Sequence, residues 1–169
     1  EPFGVQLGDD LVENDGDPSL GHLIRAHERY GGCVLGVMRI QRTEVSRYGV
    51  VSLGARMDER THEVTGLVEK PSAEEAPSDL IVIGRYVLTP NIFAALERTA
   101  PGVGGEIQLT DGLRGVLRAG GRIFAHEFTG RRYDTGDPVG LLTTSIAYAL
   151  KRPDLAPGVI AYLKTLRLD

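Results

Sequence analysis

Apolar residues recur along this chain in two alternating patterns. Short runs that are apolar, or that alternate with polar residues, are typical of β-strands, and apolar residues three or four apart indicate helices. The predicted strands cover residues 4–7, 33–40, 50–57, 63–69, 80–88 and 122–128, with a short extended piece that reaches 134. The predicted helices cover residues 20–30, 90–96, 106–118, 138–150 and 157–168. This alternation predicts an α/β fold with three layers and a mostly parallel sheet.

Capping residues mark several of the predicted helix ends. Ser19 is the expected N-cap of the first helix, and the glycine pair 31–32 is expected to end it. Pro90 is expected at the first helical position of the short second helix. Asp137 followed by Pro138 has the same pattern of a cap and a first-turn proline, and it predicts the fourth helix.

The length of 169 residues fits one ordinary domain. We therefore expect a single domain over residues 1–169, which includes C-terminal helices over 137–169. The chain begins at Glu1 without a methionine, and a predicted strand follows almost at once. Because a domain rarely opens inside its own sheet, we expect the chain to be a piece of a longer protein.

Composition and charge exclude several classes of partner. Hydrophobic residues make up 41% and charged residues 25%, which is typical of a globular protein. The net charge of −4 argues against binding to a nucleic acid polymer. No apolar stretch is long enough to span a membrane. The single cysteine, Cys33, excludes an internal disulfide and predicts a cytoplasmic location, with Cys33 itself buried as a small apolar side chain.

Gly8-Asp9-Asp10 follows the first predicted strand and is the first candidate for chemistry. In an open α/β sheet, ligands bind beyond the carboxyl ends of strands. A carboxylate there is suited to Mg²⁺, which prefers oxygen ligands. The same three residues are also common in ordinary turns, and this alternative stays open. Gly-Asp-Asp occurs in nucleic-acid polymerases as well, but the acidic balance of the chain argues against that activity.

Glu69 and Lys70 lie at the end of another predicted strand, just before Pro71. A carboxylate is suited to accept hydrogen bonds from sugar hydroxyls, and a lysine is suited to bind a phosphate. The proline is expected to push Lys70 into an extended backbone. Neighbouring residues of a strand point to opposite faces, so a joint site requires the strand to bend. The alternative is a solvated charge pair at a strand end.

Asp134-Thr135-Gly136 lies just before the fourth predicted helix. Asp137 is expected to act as the helix cap, which leaves Asp134 available for a ligand. Asp-Thr-Gly is also the signature of aspartic proteases, but those enzymes need two such carboxylates. We reject that interpretation because the chain has one such motif and alternating helices. Arg131 and Arg132 precede Asp134 closely enough to be of interest.

Taken in order, these motifs resemble the later part of bacterial sugar-phosphate nucleotidyltransferases, most closely the UTP–glucose-1-phosphate uridylyltransferases. The blocks that carry the resemblance are Leu7–Asp10, Arg47–Val51, Gly66–Pro71, Ala76–Ser78, Ile83–Leu88, Gly105–Asp111 and Tyr133–Gly136. Arg85 and the block Glu106–Asp111 favour the uridylyl enzymes over their thymidylyl relatives. The resemblance implies a Rossmann-like nucleotidyltransferase fold that binds UTP and glucose 1-phosphate and releases UDP-glucose and pyrophosphate.

The resemblance also implies roles for individual residues. It implies that Asp9 and Asp134 are ligands of a catalytic Mg²⁺ and that Lys70 binds the phosphate of the sugar phosphate. Glu69 then binds the glucose hydroxyls. The other residues implied to line the sugar site are Gly49, Gly84 and Tyr86.

The N-terminal nucleotide-binding segment of that family, a Gly-rich loop with a following Arg and Lys, has no counterpart here. We therefore expect this chain alone to be inactive. A rival hypothesis is a non-catalytic module for sugar-phosphate binding or oligomerisation. Ile160, Leu163 and Leu166 form an apolar stripe on the last predicted helix, so we expect a homo-oligomer. The alternative is that this helix packs on its own domain.

Overall fold

The computed structural model describes residues 1–14, 16, 18–102 and 105–167. It contains two compact units. The larger unit comprises Glu1–Leu7 and Glu13–Gly130, and the smaller unit comprises Gly8–Val12 and Arg131–Asp169. Leu168, at the end of the last predicted helix, lies outside the described residues. The expectation of a single domain stays a prediction.

Eight strands and five α-helices occupy most of the described chain. The strands are β1 (Phe3–Gln6), β2 (Asp10–Glu13), β3 (Cys33–Arg39), β4 (Gly49–Arg56), β5 (Thr61–Glu69), β6 (Leu80–Leu88), β7 (Ile123–Glu127) and β8 (Arg131–Asp134). The α-helices are α1 (Ser19–Tyr30), α2 (Asn91–Glu97), α3 (Leu109–Arg118), α4 (Pro138–Leu150) and α5 (Ala156–Leu163), and Arg42–Arg47 forms a 3₁₀ helix. β2 and the 3₁₀ helix were not predicted, and α3 and α5 are shorter than the predicted helices. The other bounds lie close to the predicted ones, and the α/β class is confirmed.

The predicted helix ends are correct in part. Ser19 is the first residue of α1 rather than its cap, because Pro18 occupies the N-cap position. Pro90 is likewise the N-cap of α2 and not its first helical residue. Asp137 does cap α4, where its side chain accepts hydrogen bonds from the main-chain N–H groups of the first turn. Leu166 lies beyond the end of α5, so the predicted apolar stripe is not wholly helical.

The main sheet has the strand order β1-β6-β3-β7-β5-β4 and is not mostly parallel. Among the six pairings whose register is described, β3–β7 is parallel and the other five are antiparallel. Parallel neighbours need a long crossover, usually a helix, whereas antiparallel neighbours can follow a short turn. α2 and α3 lie between β6 and β7, but no α-helix separates β3, β4, β5 and β6. The prediction of a mostly parallel sheet is therefore wrong for this chain.

Helices cover both faces of the main sheet. On one face, Leu23 and Ala26 of α1 pack in a cluster with Val34, Val87 and Phe124. The other face carries a larger cluster that includes strand residues Cys33, Leu35, Val37, Ile123 and Ala125 and helix residues Ile92, Leu113 and Val116. Strand residues that alternate in sequence therefore enter opposite cores, which explains the uninterrupted apolar runs at residues 33–35 of β3 and 123–125 of β7. Cys33 is a free, buried cysteine, as predicted.

The smaller unit contains β8 and all but the last residue of its pairing partner β2, together with α4 and α5. Its helices leave large apolar side chains in solvent: Val139 is 69% exposed, and Leu142 and Tyr162 are each 64% exposed. No described residue of α5 is buried. The described helices include none that combines the length and the apolar character required to cross a membrane.

His126, on β7, is the titratable group whose environment disfavours its charge most clearly. Its Nδ1 lies 2.9 Å from the hydroxyl of Thr61, and its Nε2 is buried without a hydrogen-bond partner. Burial lowers the pKa of His126 to about 4, and the positive charge of Arg60 adds to this effect. The unfolded chain therefore binds a proton at His126 in a pH range where the folded chain does not.

We expect the free energy of unfolding to fall as the pH is lowered from about 6.5 to about 4. The full shift would correspond to about 3 kcal/mol, and solvent screening of a half-buried ring reduces this to about 1–2 kcal/mol. Urea unfolding between pH 7 and pH 4 measures the slope, which His126→Gln should reduce. His62→Gln is the control for loss of an imidazole. An unchanged slope in His126→Gln would contradict the assignment.

Asp58 titrates below the pH range in which His126 changes the stability. Burial tends to raise the pKa of Asp58. Hydrogen bonds from the Tyr30 hydroxyl and from the main-chain N–H groups of Arg60 and Thr61 outweigh burial and lower this pKa to about 2. Because this pKa is depressed, the stability that Asp58 contributes is lost only below the ordinary carboxyl pKa, near pH 4.

Candidate functional site

Two of the predicted carboxylates, Asp9 and Asp134, meet in the smaller unit. Asp9 lies in the turn before β2, and Asp134 is the last residue of β8. The point that a Cβ on Gly136 would occupy lies 3.1 Å from Asp9 Oδ2 and 3.2 Å from Asp134 Oδ1. Two side chains that are far apart in sequence therefore direct oxygens at the same point, and the absence of a side chain at residue 136 leaves room beside them.

Hydrogen bonds from Thr135 and Gly136 hold this pair in place. Thr135 donates to the carbonyl oxygen of Asp9 from both its N–H and its hydroxyl, at 2.7 and 2.8 Å. The N–H of Gly136 donates to Asp134 Oδ1 at 3.0 Å. The start of α4 packs so closely that a Cβ on Gly140 would overlap the carbonyl oxygen of Asp134. The turn after β8 therefore sets the position of both carboxylates.

The second aspartate of the Gly-Asp-Asp motif has a different environment. The side chain of Asp10 is 8% exposed and accepts a hydrogen bond of 2.8 Å from Arg132 Nε. The same guanidinium donates from Nη2 to Asp134 Oδ2 at 3.2 Å. Arg132 had no predicted role. The only signal for it was the position of the arginine pair just before Asp134.

The donor chemistry of the Asp9–Asp134 pair suits a hard divalent cation. Mg²⁺ is usually bound by one or two carboxylates, and water and substrate phosphate oxygens complete its coordination. Within the described residues, no group of three or more His, Cys, Asp or Glu side chains is arranged to hold a metal ion. The pair is therefore a candidate for a metal shared with a phosphate-bearing ligand, and not a complete protein cage.

The chain bends sharply at the second candidate motif. β5 ends at Glu69, and Lys70 has a φ of 47°, the one positive φ among the described non-glycine residues. The expectation of an extended backbone at Lys70 is therefore wrong. The N–H of Lys70 donates to the carbonyl oxygen of Tyr48 at 3.0 Å, which holds the bend. Such a backbone costs about 1–3 kcal/mol and is often found at functional sites. The bend removes the strand-alternation objection to a joint site.

Glu69 lies beside Gly49, as the antiparallel register of β4 and β5 requires. Glu69 Oε2 accepts a hydrogen bond of 2.6 Å from the hydroxyl of Thr110, near the start of α3. A Cβ on Gly49 would lie 3.2 Å from Glu69 Oε2 and 3.2 Å from Thr110 Oγ1. The glycine therefore keeps space open beside the carboxylate. Thr110 belongs to the predicted Gln-Leu-Thr-Asp block, but no individual role was assigned to it.

The remaining predicted residues, Gly84 and Tyr86, lie on β6. Gly84 has a φ of 25°, and its carbonyl oxygen accepts hydrogen bonds from Leu7 N–H and from Arg85 Nη1, both at 2.9 Å. Tyr86 is 8% exposed and packs in the larger apolar cluster. Its contact with a sugar stays a prediction.

A family model described as nucleotidyl transferase matches residues 3–150. The chain belongs to the nucleotidyl transferase family. The family suggested by the sequence motifs is thereby confirmed. The residues that carry the resemblance lie within this match, and they include every site residue that the sequence motifs predicted.

Among the nucleotidyl transferases, two curated relatives of this chain are UTP–glucose-1-phosphate uridylyltransferases. UTP–glucose-1-phosphate uridylyltransferase 2 of Staphylococcus saprophyticus is 43% identical over 169 residues, which is 100% of this chain and 57% of that protein. The enzyme of the same name from Streptococcus pyogenes is 43% identical over 166 residues, which is 96% of this chain and 55% of that protein. This nucleotidyl transferase chain therefore spans little more than half the length of these relatives.

Solved structures agree with the sequence relatives. A UDP-glucose pyrophosphorylase in complex with UDP-glucose is 42% identical, with a TM-score of 0.83 over 90% of this chain and 57% of that one. A UTP-bound UGPase from Acinetobacter baumannii is 30% identical, with a TM-score of 0.83 over 99% of this chain and 57% of that one. The fold described here is therefore that of part of a nucleotidyl transferase.

Proposed function

We propose that the whole protein forms UDP-glucose and pyrophosphate from UTP and glucose 1-phosphate. The observation that carries this proposal is the convergence of Asp9 and Asp134 on one point beside Gly136, in a chain that is 43% identical to curated uridylyltransferases. These two carboxylates then bind Mg²⁺. Glu69 binds hydroxyl groups of the glucose, and Lys70 binds its phosphate.

The proposed reaction is a phosphoryl-type transfer. A phosphate oxygen of glucose 1-phosphate forms a bond to the α-phosphorus of UTP, and the bond from that phosphorus to the pyrophosphate oxygen breaks. Such a reaction needs positioning and charge neutralisation more than covalent chemistry from the protein. Mg²⁺, when bound, supplies charge neutralisation for the phosphates. Lys70 offsets further negative charge, and Glu69 orients the sugar through its hydroxyls.

Two alternative functions, a non-catalytic module and a thymidylyltransferase, have less support. The named relatives are enzymes, so a non-catalytic binding or oligomerisation module is not favoured. A glucose-1-phosphate thymidylyltransferase structure is 20% identical with a TM-score of 0.63, a likeness that extends to the fold and carries no argument about the substrate. The resemblance carried by Arg85 and the block Glu106–Asp111 favours a uridylyl enzyme over a thymidylyl enzyme. The cytoplasmic location stays a prediction based on the single cysteine, Cys33.

The metal assignment predicts a large loss of turnover in the whole protein. Asp9→Asn and Asp134→Asn should each lower kcat by at least about 100-fold, because each removes a charge from the proposed Mg²⁺ ligands. Asp137→Asn is a matched control, since asparagine caps a helix as well as aspartate does. The measurement is Mg²⁺-dependent formation of UDP-glucose. Near-normal turnover in either variant would remove that residue from the metal site.

The sugar-phosphate assignment predicts a change in KM for glucose 1-phosphate. Glu69→Gln should raise it by an amount equivalent to about 1–3 kcal/mol, because a matched hydrogen-bonded carboxylate is lost. Lys70→Ala should have a larger effect, because it removes a cation from a phosphate. Glu74→Gln, on the exposed segment after Pro71, controls for loss of a nearby carboxylate. If both site variants kept the parental KM, the pair would be a surface charge pair.

We also propose a homodimer or larger assembly in which α4 and α5 take part. The support is the apolar surface of these helices, with Leu142 and Tyr162 each 64% exposed. Surfaces of this kind often mark subunit interfaces. Light scattering at micromolar concentration should show smaller particles for Leu142→Glu and for removal of residues 157–169. Phe93→Glu, on an exposed apolar residue of α2, is the control. A monomeric parent would refute the proposal, and an unchanged assembly in both variants would exclude these helices from the interface.

A further inference from the structure

Asp10, Arg132 and Asp134 form a chain of ion pairs in the smaller unit. Arg132 and Asp134 are two residues apart on β8, and side chains with this spacing point to the same face of a strand. The side chain of Arg132 is 13% exposed, so its charge is largely withdrawn from solvent. Its Nε donates to Asp10 Oδ1, and its Nη2 donates to Asp134 Oδ2.

These contacts constrain the carboxylate of Asp134 at both oxygens. Oδ1 accepts from the N–H of Gly136 at 3.0 Å, and Oδ2 accepts from Arg132 at 3.2 Å. The terminal torsion of an aspartate is broad when it is not constrained. Two donors on different oxygens define the plane of the carboxylate. Oδ1 consequently remains directed at the point beside Gly136 that it shares with Asp9.

The same arginine also connects the segment that carries Asp9. Asp10 is the next residue along the chain, and its carboxylate is bound to Arg132 Nε. The carbonyl oxygen of Asp9 is bound independently by Thr135. The two segments that supply the metal ligands are therefore connected by hydrogen bonds from two residues of the second segment, one on each side of Asp134.

A positive charge alone does not explain this arrangement. Any cation would offset the repulsion among three nearby carboxylates, but a lysine is a point charge. The planar guanidinium can donate in two fixed directions at once. The observed pair of contacts, one to Asp10 and one to Asp134, uses that geometry.

We propose that Arg132 is a positioning residue for a divalent cation bound by Asp9 and Asp134: it holds Asp134 Oδ1 towards the shared point by binding Oδ2 and Asp10 together. This inference rests on the proposed function, in which these two aspartates are the metal ligands. Partners of metal-binding side chains commonly change metal affinity by 10- to 100-fold when they are replaced.

Removal of the arginine charge would mix two opposite effects. The guanidinium repels a nearby cation, so loss of its charge favours metal binding, whereas loss of its hydrogen bonds disfavours binding. Arg132→Lys keeps the charge and removes the two-directional geometry. It therefore isolates the positioning effect. Arg131→Lys is the matched control, since Arg131 is exposed on the same strand.

The test is Mn²⁺ binding to the whole protein without nucleotide, measured from the free Mn²⁺ electron paramagnetic resonance signal. We expect Arg132→Lys to raise the Kd about tenfold and Arg131→Lys to leave it unchanged. Water proton relaxation should show more water on the bound Mn²⁺ in Arg132→Lys, because a displaced Asp134 is replaced by solvent. Parental affinity and hydration in Arg132→Lys would overturn the inference.

Two further variants keep the result interpretable. If Arg132→Lys does not fold, the double variant Asp10→Asn with Arg132→Gln replaces it, because it removes both members of the buried ion pair. This double variant should bind Mn²⁺ about tenfold more weakly than the parent. Parental Mn²⁺ affinity in the double variant would overturn the inference. Asp134→Asn tests the proposed metal site itself. Parental Mn²⁺ affinity in Asp134→Asn would refute that site. Weakened binding in Asp134→Asn with parental binding in Arg132→Lys would refute the role of Arg132 alone.

Discussion

The candidate metal site depends on holding like charges close together. The carboxylates of Asp9 and Asp134 repel each other, yet both direct an oxygen at the same point beside Gly136. Hydrogen bonds offset this repulsion, because Thr135 and Gly136 donate to the segments that carry the two carboxylates. These donors follow Asp134 directly in sequence. The turn that presents one carboxylate therefore also positions the other.

The larger unit arranges its candidate residues through the direction of its strands. In the antiparallel pair β4–β5, the start of one strand lies opposite the end of the other, so Gly49 faces Glu69. A parallel pair would bring the start of β4 to the start of β5 and would leave these residues apart. The bend at Lys70 then turns the chain away from the sheet immediately after Glu69. Strand direction, which periodicity predicted wrongly, therefore brings Gly49 and Glu69 together.

The contacts that sequence motifs did not reveal are those between residues far apart in the chain. Asp10 was grouped with Asp9 as a possible ligand, and its ion pair with Arg132 became visible only in the folded structure. Thr110 lay within a recognised block, but its hydrogen bond to Glu69 joins α3 to the end of β5. The pairing partner of a charged side chain depends on three-dimensional packing, which residue type and local spacing do not specify.

The sequence by itself determined the α/β class, most helix and strand positions, and the family of this chain. These properties follow from periodicity, from capping residues and from short motifs, which are local in sequence. Only the tertiary structure decided the antiparallel pairing, the left-handed backbone at Lys70 and the meeting of Asp9 with Asp134. Strand direction depends on which connections form crossovers, and a meeting of distant carboxylates depends on the hydrogen bonds that offset their repulsion. Both are properties of the whole packed chain.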